Sequence, residues 1–223
     1  MGDAFRLSKG PEALPIAAFE VKHAKSRWSG AIKLLHKDDN VAAQVFDRIG
    51  VRIVTQERFD ALRAVRYLRE HDVFNFANVK PSRSHNTLID IEQVRRKSAE
   101  LVAAMGDGSE PERLDAMHRF VRVQPLPRAS SDPINRFSGI EYHAIQFTCR
   151  QLIRMPDDPL TRFFFPFEVQ IMDEEAMAIS RRGLASHDAY KARQRAEAKR
   201  RVLGRLLDAS RVDEVETVDM MTR

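Results

Sequence analysis

The sequence predicts a mixed α/β (α+β) domain, a mixed or mostly antiparallel sheet of about four to five strands flanked by helices. Three observations carry that prediction. Residues 162–172, RFFFPFEVQIM, set aromatic and β-branched residues at period two, the pattern of a strand. Residues 26–37, 59–69 and 92–105 repeat apolar side chains at helical spacing. The two kinds of segment intermix along the chain, so helices and strands share one core.

Taken in order, residues 1–19 hold prolines and glycines and read as an irregular or partly helical lead-in. SRWSGAIKLLHK, 26–37, reads as a helix with Trp28, Ile32 and Leu35 inward. Asp39 and Asn40 suit the N-cap of a short helix through Phe46, with Gly50 at its exit. VRIVT, 51–55, is a strand, and 59–69 is an amphipathic helix with Phe59, Leu62, Val65 and Leu68 inward. Residues 92–105 form a helix stopped by GDG, and 106–118 a loop and short helix. FVRVQ, 120–124, reads as a strand, and 125–139 as a turn-rich loop. Residues 140–153 begin as a strand, and 163–172 form another. Asp173 or Glu174 opens a helix to Arg182, and His187 or Asp188 opens a last helix to about Leu207. The acidic tail, 208–223, is expected to fray.

Composition narrows the function classes. With 43% hydrophobic and 31% charged residues, the 223-residue chain is ordinary for a globular protein with a sizeable core. No apolar run approaches the ~20 residues of a membrane span. MGDAFRLSKGPEALP lacks the apolar core of a secretion signal, and the single Cys149 excludes an internal disulfide, so the expected compartment is the cytoplasm. The net charge of +5 suits a protein that meets phosphates, as nucleotides or RNA, although a solvated basic surface reads the same way. Seven histidines show no i,i+4 metal pair, and one cysteine builds no zinc site.

The chemistry starts at one end of the hydrophobic 163–172 strand. Glu168 and Gln170 share a face there, ~7 Å apart. A carboxylate can hold magnesium, and a neighbouring amide can orient a hydroxyl. Magnesium takes one or two protein carboxylates, and Asp47 is the candidate for the second. A helix would align Lys25, Ser29 and Lys33, a plausible grip on a triphosphate that also reads as a solvated face. Lys80, Arg83 and His85 in VKPSRSHNT read equally as phosphate contacts or as a polar turn.

Four segments, in order, resemble the synthetase domain of the RelA/SpoT alarmone synthetases. HAKSRWSGAIK matches R-x-K-x-x-x-S-x-x-x-K at Lys25, Ser29 and Lys33. FDRIGVRIV matches an aspartate before G-x-R-I at Asp47, Gly50, Arg52 and Ile53. SGIEYHAIQFT resembles the end of Y-x-x-P-K-x-N-G-Y-x-S-x-H at Gly139, Tyr142 and His143. EVQIMDEEAM and SHDAYK match E-x-Q-I, a following methionine and H-x-x-Y-K at Glu168, Gln170, Ile171, Met177, His187, Tyr190 and Lys191.

The resemblance implies a nucleotidyltransferase-like mixed sheet flanked by helices, over residues 20–207 with an insertion at about 86–138. It implies a pyrophosphokinase that uses ATP and Mg²⁺ and acts on GDP or GTP. Asp47 and Glu168 would bind the metal, and Asp47, Glu168 and Gln170 would form the catalytic set. Lys25, Ser29, Lys33 and Arg52 would hold ATP, while Tyr142, His143, Lys80, Arg83 and His187 would contact the acceptor.

The departures gather on the acceptor side. His23 replaces an arginine, and Met172 and Asp173 stand where the family has arginine and threonine. SGIEYH is one residue short, so strand register would turn Tyr142 to the opposite face. The alternatives are therefore a changed acceptor, such as the 3′ end of tRNA or an adenine nucleotide, or an inactive nucleotide- or RNA-binding module. The basic last helix, with Lys191, Arg193, Arg195, Lys199, Arg200, Arg201 and Arg205, reads as an RNA or homo-oligomer contact, or as a solvated helix resting on Val202, Leu203, Leu206 and Leu207.

Overall fold

The structure, a computed structural model, describes residues 5–7, 13–22, 26–35, 49–105, 110–127, 141–158, 160–182 and 190–204. Asp47, Lys25 and His187 lie outside the described residues, as does the side chain of Lys33.

Six strands form one mixed sheet: β1 (Phe5–Leu7), β2 (Leu14–Lys22), β3 (Gly50–Thr55), β4 (His85–Asn86), β5 (Ile145–Arg154) and β6 (Arg162–Asp173). Their order is β1-β2-β3-β6-β5-β4, and only the β3–β6 pair is parallel. The helices are α1 (Arg27–Leu35), α2 (Asp60–Glu70), α3 (Ile91–Met105), α4 (Glu110–Val123), α5 (Glu174–Ser180) and α6 (190–204). No helix among the described residues is long and apolar enough to cross a membrane.

Alternation along the central strands separates two faces. Ile53 of β3, Val169 and Ile171 of β6, and Phe147 and Cys149 of β5 enter the core with Ala61, Ala64 and Leu68 of α2. The small Ala61 and Ala64, both fully buried, let α2 lie close to the sheet. Burial pushes the Cys149 thiol up to about 12, so it is a packing residue and not a nucleophile. The interleaved residues Arg52, Gln146, Glu168 and Gln170 occupy the other face.

Several sequence expectations change. The lead-in is strand from Leu14 onward, because β2 pairs along β3 and a bulge between Ile16 and Ala18 absorbs its irregularity. FVRVQ is no strand: it is the end of α4, whose Met117 and Val121 are buried one turn apart. A short apolar run does not by itself distinguish strand from helix, and tertiary packing decides. Among the described side chains of α1 only Ile32 is buried, whereas Trp28 is 70% exposed. In α6 the buried side chains are Gln194 and Ala198, while Val202 and Leu203 are exposed.

The segment from Thr87 to Ala144 begins and ends at neighbouring points. Thr87 N–H donates to the Ala144 carbonyl at 3.0 Å, so the intervening chain loops out and returns. The loop carries α3 and α4 and contributes to the core: Leu88 and Val121 are fully buried. Arg122 and His118 of α4 pair with Glu57 ahead of α2, and His118 Nε2 lies 3.4 Å from Asp60.

Candidate active site: two polar rungs across the sheet

Strand register builds the site. Glu20 lies opposite Arg52, Arg52 opposite Gln170, and Gln170 opposite Gln146. Two residues along, Lys22 lies opposite Gly50, Gly50 opposite Glu168, and Glu168 opposite Thr148. Paired residues, and residues two apart, share a face, so two polar rungs cross four strands side by side. At the β4 edge the register adds His85 beside Gln146. Lys80 joins beside Thr148, its N–H donating to the Thr148 carbonyl at 2.9 Å.

Glu168 is the centre of this array. Its Oε1 accepts from Gln146 Nε2 at 2.7 Å, and its Oε2 from Gln170 Nε2 at 2.9 Å. Lys22 Nζ stands 3.5 Å from Oε2 and also donates to Gln170 Oε1. Arg52 donates to that same amide oxygen from Nη2 at 3.2 Å and to Glu20 Oε2 from Nη1 at 3.0 Å. The amide of Gln170 thus turns its oxygen to two cations and its nitrogen to the carboxylate. The Glu168 side chain is 12% exposed, so these charges act through a medium less screening than bulk water.

Gly50 makes the close packing possible. A Cβ there would lie 3.1 Å from the Glu168 carbonyl oxygen and 3.6 Å from Lys22 Cδ. The absence of a side chain leaves the space through which Lys22 reaches across β3.

Tyr142 flanks the array from the loop before β5. Burial is the first cause pushing its phenol up, and Glu168 and Tyr190 add to it while Arg52 opposes. Tyr142 lies ahead of β5, which begins at Ile145, so the register of that strand does not fix which way its ring turns. His143 is the residue turned inward: it is buried, and its Nδ1–H donates to the Thr87 carbonyl at 2.6 Å. Within α6, Tyr190 accepts from the buried Gln194 at 2.7 Å. Lys80 and Arg83 flank a short 3₁₀ turn against β5. Ser29 bonds to Ser26 within α1, and no described contact joins it to the rungs.

Residues 172 and 173 follow from their places. Met172 is fully buried, and Asp173 caps α5 by accepting from Ala176 N–H at 3.0 Å. The arginine expected at 172 would sit in the core here. Glu20, Lys22 and Gln146 were missed by the sequence reading. The alternation of FEVK after an apolar run was the available signal for the first two.

The comparisons with known proteins can be set beside this geometry. No family model matches the chain, and no curated protein matches it. The chain is similar in structure to small alarmone synthetases. The small alarmone synthetase 2 of Bacillus subtilis aligns with a TM-score of 0.43 and 13% identity, over 91% of this chain and 82% of that one. A GTP pyrophosphokinase family protein of Streptococcus pneumoniae aligns at 0.41 and 11%, over 92% and 78%. The small alarmone synthetase 1 of Bacillus subtilis, bound to its product pppGpp, aligns at 0.40 and 13%, over 93% and 79%.

Glu168 has the chemistry of a metal-binding carboxylate. Among the described contacts, the Glu168 oxygens meet two neutral amides and the Lys22 ammonium, a position where a cation is favoured. Among the described residues no three acidic, histidine or cysteine side chains gather into a metal cage. That is compatible with magnesium, which takes one or two protein carboxylates and completes its shell with phosphates and water.

Proposed function

We propose that this chain is a pyrophosphokinase that transfers the β,γ-pyrophosphoryl group of ATP to the 3′-hydroxyl of a guanosine nucleotide, GDP or GTP, with Mg²⁺. The observation that carries the reading is the pair Glu168 and Gln170, oriented by Gln146 and bordered by Lys22 and Arg52. A carboxylate ringed by amides and cations suits a reaction that depends on positioning and charge neutralisation.

In this reading the acceptor 3′-oxygen forms a bond to the β-phosphorus. The bond from that phosphorus to the bridging oxygen breaks, AMP leaves with the oxygen, and the hydroxyl proton passes to Glu168. Gln170 orients the hydroxyl. Arg52 and Lys22 face the phosphates, and Lys25, Ser29 and Lys33 keep their proposed role on ATP. Mg²⁺, held by Glu168 and Asp47, would neutralise phosphate charge. Tyr142 supplies the aromatic ring of the acceptor side, with Lys80, Arg83 and His187 proposed around it and the inward-turned His143 supporting that side through the Thr87 carbonyl.

A changed acceptor is the second reading. The burial of Met172, where the resemblance expects an arginine, favours it. The deciding experiment is transfer of label from β- or γ-labelled ATP, with Mg²⁺, to GDP, GTP, ADP, ATP or bulk tRNA in turn. Transfer to GDP or GTP that disappears in Glu168→Ala supports the first reading. Transfer only to tRNA or an adenine nucleotide replaces the acceptor. No transfer to any of them defeats the catalytic assignment of Glu168.

A further inference from the structure

The β5–β6 hairpin runs well past the rest of the sheet. β3 pairs with β6 only over Gly50–Thr55 and 168–173, and β4 covers β5 only at 145–146. Beyond Arg150 and Phe165 the paired strands are exposed, and they still match residue for residue from Gln151–Phe165 to Arg154–Arg162.

The face of this ribbon that continues the active-site face has a distinct composition. After the pairs Gln146–Gln170 and Thr148–Glu168 come Arg150–Pro166, Leu152–Phe164 and Arg154–Arg162. The three arginines are exposed, and no described carboxylate pairs with any of them. Between them lie Phe164, 53% exposed, and Leu152. Arg150 already stands 6.0 Å from the centre of the Phe164 ring. An open aromatic ring between arginines that no described carboxylate pairs fits a polyanion with flat, apolar rings, since cations meet phosphates and every base has a face to stack. In a duplex those faces are covered, so the matching form is single-stranded. Arg162 lies six residues from Glu168 along β6, roughly 20 Å away. These arginines therefore serve a ligand longer than a nucleotide bound at Glu168.

The free edges of the hairpin argue against a second copy pairing there. On β5, an antiparallel partner centred on Leu152 would set Arg150 against Arg154 of the copy. On β6, Pro166 removes a donor from the edge.

We propose that the outer β5–β6 hairpin is a binding track for single-stranded RNA that leads to Glu168. RNA rather than DNA rests on the proposed reading, in which the acceptor is a ribonucleotide; the track itself follows from Arg150, Arg154, Arg162 and Phe164.

The test is fluorescence anisotropy with a labelled single-stranded RNA of about 12 nucleotides, over a range of salt. The double variant Arg154→Gln/Arg162→Gln should bind at least tenfold more weakly and lower the slope of log affinity against log salt by about 1.4, two phosphate contacts at ~0.7 each. Phe164→Ala should weaken binding with the slope unchanged. Glu168→Gln should still bind. Absence of RNA binding, equal binding by the hairpin variants, or preference for a DNA strand of the same sequence would overturn the proposal. So would concentration-dependent self-association lost in Leu152→Ser/Phe164→Ser, which would make this face a contact between copies. Label transfer to GDP or GTP, measured on the same double variant, reports separately on the proposed reaction.

Discussion

Lys22 reaches Glu168 across β3, its Nζ 3.5 Å from Oε2, because the residue between them in register is Gly50. Cation, gap and carboxylate lie in line on three neighbouring strands. That line joins a segment outside the recognised motifs to the residue at the centre of the proposed chemistry.

Gly50→Ala tests this relationship. The added Cβ would meet the Glu168 carbonyl oxygen at 3.1 Å, so β6 must shift by a few tenths of an ångström. The expected loss of stability is about 1 kcal/mol. Thermal denaturation reads that loss. Label transfer should fall further than stability alone accounts for, because Glu168 itself moves.

Arg52→Lys separates shape from charge. One guanidinium serves both Glu20 and Gln170, and an ammonium cannot reproduce its fork. Transfer should fall by roughly 10²-fold, with the melting temperature little changed. Retention of full transfer would remove Arg52 from the site.

Asp173→Ala should act through α5. It removes the cap on Ala176 N–H and the carboxylate facing the Arg58 guanidinium at 3.7 Å. The expected cost is about 1–2 kcal/mol, read by chemical denaturation. Asp173→Asn, which keeps a capping oxygen, should recover part of it.

Leu88→Ala tests whether the segment that carries α3 and α4 is structural. Leu88 is fully buried at its root. The substitution should cost about 2–5 kcal/mol. A cost within experimental error would show α3 and α4 to be an appendage rather than part of the core.

Acid should loosen α4. Burial raises the Glu57 carboxyl, but hydrogen bonds and charge from His118 and Arg122 outweigh it and hold the group below its ordinary value. A carboxylate with a depressed folded pKa stabilises above its unfolded pKa and loses that contribution as pH falls through the folded one. Hydrogen exchange in α4 should therefore accelerate as pH falls below the ordinary glutamate range. In Glu57→Gln that acid step should shrink.

The sequence by itself determined the strand that carries Glu168 and Gln170, the helices over 60–70 and 91–105, and the mixed class of the sheet. Those elements were legible because their periodicity is local: aromatic and β-branched residues at period two, apolar residues at helical spacing. It also put Gly50 and Arg52 in one motif with the correct strand. Only the tertiary structure decided who stands beside Glu168. Glu20, Lys22 and Gln146 reach it through pairing between segments more than 20 residues apart, and register is not written in any one of them. The same reason covers the two clearest misreadings. Leu14–Lys22 became a strand because β3 offered a partner edge, and FVRVQ became helix because Val121 found the core. Both are choices made by packing, which overrides local preference when a segment is short.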